Sequence, residues 1–246
     1  MLLTESDRIP EQQGASPATS VSLEPELAKL RRRVVRAANV SIDMLEASLH
    51  ALWTVDHTLA SEVRGRDDQV DEEEVDIERE CLRLLTLRHP YGQDFRLVTF
   101  CLKANADIER VADHATSIAK ITQRLDPIHP PKWPTALVEL GDRVPVLCQT
   151  VLRAVLDEDV TAARELVAGD RVIDTLDAKL FAEITAFIER EPKDGGAALH
   201  LYRLGRELER VGDLMANIAE DVVYLATGEI IRHQKVRGER RFAEGA

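Results

Sequence analysis

At 246 residues the chain can form one or two compact domains with substantial cores, and its 44 acidic against 32 basic side chains give a net charge of −12. That balance speaks against sequence-independent nucleic-acid binding, which depends on neutralising phosphates. No apolar stretch approaches the ~20 residues that span a bilayer, and Met1 to Asp7 lacks a signal peptide's basic region and apolar run, so a cytoplasmic protein without membrane insertion is expected. Cys81, Cys101 and Cys148 are an odd set without C-x-x-C spacing. They read as small buried hydrophobes in a reducing compartment.

Residues 1 to 23 are polar, with Gly14, Pro17 and Ser20, and are expected to form a flexible arm. Ser22 or Glu24 is placed to cap a first helix, with Pro25 tolerated in its first turn. Leu27, Leu30, Val34, Ile42, Leu45, Leu49 and Leu52 continue it at helical spacing to about residue 60. A second helix begins near Asp67, carries Val70, Ile77, Cys81 and Leu84, and ends at His89 and Pro90. A third runs from Asp94, its expected N-cap, to Arg124, with a stripe through Cys101, Ala104, Ile108, Val111, Ala115 and Ile118.

The four prolines between Leu125 and Pro134 cannot be helical. They place a linker at 126–134, between one half at 24–125 and another at 135–228. Leu137, Leu140, Val144, Leu147, Val151 and Val155 mark a fourth helix, which Pro145 should start or kink. Ile173, Leu180, Ile184 and Phe187 mark a fifth. Leu201, Leu204, Leu208, Val211, Met215, Ile218 and Leu225 mark a sixth, closed by Gly228 and followed by a basic tail at 229–246.

The halves superpose. Val70, Ile77, Cys81 and Leu84 map onto Ile173, Leu180, Ile184 and Phe187 at a constant offset of 103, and Cys101 to Ile118 maps onto Leu201 to Ile218 at an offset of 100. The expected fold is all-α, a tandem duplication of an antiparallel three-helix bundle with six long helices. The duplication carries an acidic pattern: Asp67-x-x-x-Asp71 and Glu109-x-x-x-Asp113 recur as Asp170-x-x-x-Asp174 and Glu209-x-x-x-Asp213. Carboxylates four apart share one helix face and repel. At about 100° per residue, Asp67, Asp71, Glu74 and Glu78 form a row beside the apolar stripe of their helix, matched by Asp170, Asp174 and Asp177. Where two such helices pack, the rows meet at the edge of the seam. Carboxylates converging without Cys or His make an all-oxygen environment suited to hard cations, several of them bridged if need be. The competing reading is a solvated acidic face balanced by Arg79, Arg83, Arg110 and Arg210. His114 reads as a surface histidine.

Asp94-Phe95-Arg96-Leu97 and the run Asp107 to Ala115 resemble the first-repeat signature of the PhoU family, and Glu207 to Glu220 resembles its second-repeat counterpart. The resemblance spans residues 24 to 228. It implies metal ions or clusters on the acidic motifs, with iron as the family's choice and magnesium, manganese or zinc as alternatives. The implied ligands are Asp67, Asp71, Glu109, Asp113, Asp170, Asp174, Glu209 and Asp213. It also implies a non-enzymatic, dimeric regulator of phosphate uptake. Such a regulator links the ATPase subunit of a phosphate ABC transporter to a sensor histidine kinase and represses the phosphate-starvation response when phosphate is ample. Ala112 stands opposite Gly212 and Ser117 opposite Asn217, which bears on whether the two sites are equal. A metalloenzyme or metal-storage bundle is the alternative. Ferritin-like chemistry uses Glu-x-x-His, and no histidine here has Glu three residues before it. No Gly-rich phosphate loop suggests ATP or GTP use.

Overall fold

The computed structural model describes residues 22–169 and 171–231. The expected arm up to residue 21, the ligand candidate Asp170 and the basic tail from residue 232 lie outside the described residues. Within them, six long helices build the molecule: α1 (Glu24–Thr54), α3 (Asp67–Arg88), α4 (Gly92–Thr122), α5 (Thr135–Asp157), α7 (Arg171–Arg190) and α8 (Gly195–Thr227). Two short helices follow the first long helix of each half, α2 (His57–Arg64) and α6 (Val160–Gly169), and no strand occurs among the described residues.

The first helix does not run on to residue 60. Val55 turns left-handed at φ 49°, and Asp56 caps α2 by accepting the N–H groups of Thr58 and Leu59 at 2.8 and 3.0 Å. A left-handed β-branched residue is costly, and an aspartate cap returns ~1 kcal/mol. The duplication repeats the device: Glu158 is left-handed at φ 50°, and Asp159 accepts the N–H groups of Thr161 and Ala162. Each half is therefore long–short–long–long rather than three helices alone.

Two further boundaries differ from expectation. Asp94 lies inside the first turn of α4, whose N-cap is Tyr91, so its carboxylate meets the positive end of the helix dipole instead of capping it. Pro145 neither starts nor ends α5, which continues through it. Its missing N–H leaves the Gly141 carbonyl without the usual partner four residues on. Gly141 also lies against α1, since a Cβ there would stand 2.5 Å from the Trp53 ring. Trp53 in turn meets Trp133 of the proline-rich linker edge to face at 5.1 Å.

The predicted stripes form the core. Ile77, Cys81, Leu84, Cys101, Ala115 and Ile118 are fully buried in the first half, and Leu180, Leu204, Leu208 and Val211 in the second. Each large side chain so buried contributes roughly 1.5–3 kcal/mol. All three thiols are buried and held in their neutral form, Cys81 and Cys148 pushed up to about 12 by burial. In the first half α4 packs on α1 and α3, in the second α8 packs on α5 and α7, and α4 and α8 pack on each other. These two central helices are antiparallel, since Arg96 Nε donates to the Leu225 carbonyl at 3.0 Å and Lys103 Nζ to Asp221 Oδ1 at 3.3 Å. One continuous core joins the halves.

Candidate metal centre

In the first half the antiparallel register of α3 and α4 is pinned at two points. Asn105, fully buried, donates from Nδ2 to the Glu74 carbonyl at 2.9 Å, and Thr116 Oγ1 donates to Asp67 Oδ1 at 2.9 Å. Between these ties fall Asp71 and Glu74 on α3 and Glu109 and Asp113 on α4. The two acidic rows thus face one another, and their electrostatics register it. Burial and the charges of Asp113, Asp71 and Glu74 push Glu109 up to about 7, against a weaker pull from Arg110. Burial, Asp67 and Asp113 raise Asp71, and burial with Glu78 and Asp71 raises Glu74.

No ion pair among the described residues involves Asp67, Asp71, Glu74, Glu78, Glu109 or Asp113. Arg79, Arg83 and Arg110, candidates to neutralise them, instead hold Asp76, Glu80 with Glu26, and Asp107. The donors suit a hard cation. Among the described residues, however, no three carboxylates, imidazoles or thiols stand close enough to grip one ion as placed.

The second half is different. Asp174 and Asp213 are exposed on α7 and α8, and Asp170 falls outside the described residues. Glu209 is half-buried and raised by burial and Asp213, with Arg206 pulling it back. Arg206 Nη1 donates to Asp177 Oδ2 and forms an ion pair with Glu209 Oε1, both at 3.0 Å, bridging α7 and α8. Two glycines of α8 lie against α7 side chains here: a Cβ on Gly205 would lie 2.0 Å from Leu180 Cδ2, and one on Gly212 would lie 3.2 Å from Ile173 Cγ2. The first-half counterparts are Asn105 and Ala112.

His114 is not a surface histidine. It is mostly buried, and its Nδ1 lies 2.7 Å from Glu207 Oε2 across the α4–α8 contact, where Arg203 Nε also approaches Glu207 Oε1 at 3.5 Å. Burial pushes the Glu207 carboxyl up, but His114, Arg210 and Arg203 outweigh it and hold the group below its ordinary value. This pair sits one residue from Asp113 and two from Glu209, so the two acidic seams adjoin a joint between the halves. Arg206 also escaped the sequence reading, although its i, i+3 spacing from Glu209 is a legible signal.

Comparison with known proteins places the arrangement. The PhoU domain family matches residues 34–122 and again 137–222. A phosphate-specific transport system accessory protein PhoU homolog from Deinococcus radiodurans is 33% identical over 207 residues, 84% of this chain and 97% of the relative. The homolog from Pseudomonas aeruginosa is 29% identical over 209 residues, 85% of this chain and 86% of its own. The crystal structure of PhoU from Pseudomonas aeruginosa superposes with a TM-score of 0.79 at 29% identity, covering 85% of this chain and 100% of that one. The phosphate transport system regulatory protein PhoU from Streptococcus pneumoniae superposes with a TM-score of 0.78 at 27% identity, covering 85% of this chain and 99% of that one. With a PhoU domain in each half and relatives matched nearly end to end, the chain belongs to the PhoU family.

Proposed function

We propose that the protein is a non-enzymatic accessory regulator of phosphate uptake. The observation that carries this reading is the match of both halves to the PhoU domain, together with relatives named as phosphate-specific transport system accessory proteins. In this reading the bundle works in the cytoplasm, as a homodimer, as an adaptor between the ATPase subunit of a phosphate transporter and a sensor histidine kinase. It holds the starvation response off when phosphate is ample. No described helix is long and apolar enough to cross a membrane, so the partners would supply the membrane attachment. Large apolar side chains left exposed, among them Phe181 and Leu199, are the kind of surface that protein contacts use.

The acidic seam of the first half serves this reading as a metal-dependent brace. Asp67, Asp71, Glu109 and Asp113, with Glu74, would hold a hard cation, iron by family resemblance. A bound ion supplies positive charge where these helix-borne carboxylates otherwise repel. The residues contribute oxygen donors from two helices, so filling the seam would clamp α3 to α4. A strain lacking this gene and carrying a phosphate-starvation reporter tests the regulatory reading. Reporter expression in ample phosphate, silenced by the wild-type gene, is expected; a reporter that stays repressed in the deletion strain would overturn it.

A further inference from the structure

The duplication lets the two acidic seams be compared residue by residue. Glu209 corresponds to Glu109 at an offset of 100, and Asp177 to Glu74 at 103. On the same count Arg206 corresponds to Ala106. In the second half a guanidinium therefore bridges Asp177 and Glu209 at 3.0 Å each, from one helix to the other. In the first half Ala106 brings no charge, and neither Glu74 nor Glu109 enters an ion pair among the described residues. The remaining oxygens of the bridged acids, Asp177 Oδ1 and Glu209 Oε2, are buried without a hydrogen-bond partner, which leaves the guanidinium as the charge that offsets this pair.

We infer that Arg206 is a built-in counterion that takes the place of an external cation between Asp177 and Glu209, so that the first half is the metal-responsive one and the second is closed by its own side chain. A guanidinium is always charged and presents several fixed donors. Tethered three residues from Glu209, it competes with any dissolved ion at high effective concentration. An external ion could enter only by expelling it and leaving it without its two acids. The inference rests on the proposal that the first-half seam takes a metal ion.

The test is Mn2+ uptake, by elemental analysis after dialysis and by calorimetry, on the full chain and variants. Wild type is expected to load in the first half alone. Glu109→Gln then cuts uptake by at least tenfold in affinity, and Glu209→Gln leaves it unchanged. Arg206→Gln should add bound Mn2+ that Glu209→Gln removes. Ala106→Arg, at an exposed position with room for the side chain, should abolish first-half uptake and raise the melting temperature of the chelated protein. Equal sensitivity of wild type to Glu109→Gln and Glu209→Gln, or no added Mn2+ in Arg206→Gln, overturns the inference while leaving the metal reading intact. If no protein in the set takes up Mn2+, the metal reading fails by itself. The counterion is then decided by melting in chelator, where Arg206→Gln must lose stability and Arg206→Lys recover part of it; an unmoved curve overturns it. Should Arg206→Gln not fold, the Ala106→Arg arm stands alone, and uptake undiminished by the new guanidinium contradicts the inference.

Discussion

Glu109 is the side chain where the cost of the acidic seam concentrates. Its folded-state carboxyl is raised from 4.5 to about 7. It therefore holds its proton more tightly folded than unfolded, and the metal-free fold loses stability as pH rises from the ordinary carboxylate range through about 7. Glu109→Gln removes that charge. In chelated protein it should leave stability near pH 4.5 unchanged and raise it at pH 8 by on the order of 1 kcal/mol once solvent screening is allowed for, a shift of roughly 2–4 °C in Tm. Melting curves at the two pH values check this; equal effects at both would show that neither burial nor the charges of Asp113, Asp71 and Glu74 raise the Glu109 carboxyl. The acidic motifs were legible from spacing alone. Their counter-charges were not, because Arg110 and Arg210 adjoin the acids in sequence, whereas Arg206 lies one turn earlier on the same face as Glu209.

At the scale of the elements, close approach decides which residue each helix tolerates. Gly205 lies against fully buried Leu180, and an added methyl has nowhere to go. Gly205→Ala should cost about 1–3 kcal/mol by overpacking and lower Tm by several degrees. Gly196, in the first turn of the same helix with nothing within 4 Å of a Cβ, is the control: Gly196→Ala should leave stability unchanged or raise it by up to ~1 kcal/mol. Equal losses would mean that the α7–α8 contact is looser than the structure has it. The six long helices were readable because their apolar stripes keep the 3.6 period over many turns. The break into α2 was not, because Val55 is apolar and preserves the stripe while its backbone turns left-handed; the matching left-handed residue before α6 is Glu158. The repeated Asp-x-Thr at Asp56 and Asp159 was the available signal. Asp94 was misplaced by three residues because left-handed Gly92 opens α4 before it.

At the scale of the whole molecule, the α4–α8 contact makes two repeats into one body. His114 was read from the wheel of its own helix, which shows a single buried face. In the structure α4 is buried on several sides, by α1, α3 and α8, and only the assembly of the halves puts His114 against Glu207. Glu207→Ala leaves His114 and Arg203 without their shared carboxylate and should cost roughly 1–3 kcal/mol. Because the Glu207 carboxyl is held below its ordinary value in the fold, its contribution is present above the ordinary carboxylate range and fades as pH falls through the lowered value. The loss caused by Glu207→Ala should therefore shrink in acid, and an undiminished loss there would assign it to packing alone.

The account stands most directly on the cation. Metal content by mass spectrometry, on protein purified without an affinity tag, should be measured alongside melting curves before and after chelation. The account predicts at least one bound ion per chain, and removal of the ion should lower Tm by several degrees, since a ligand that binds only the folded state stabilises it. Metal-free protein with a melting curve that neither chelator nor added metal moves would contradict it, and the acidic seam would then be a charged face for partner proteins.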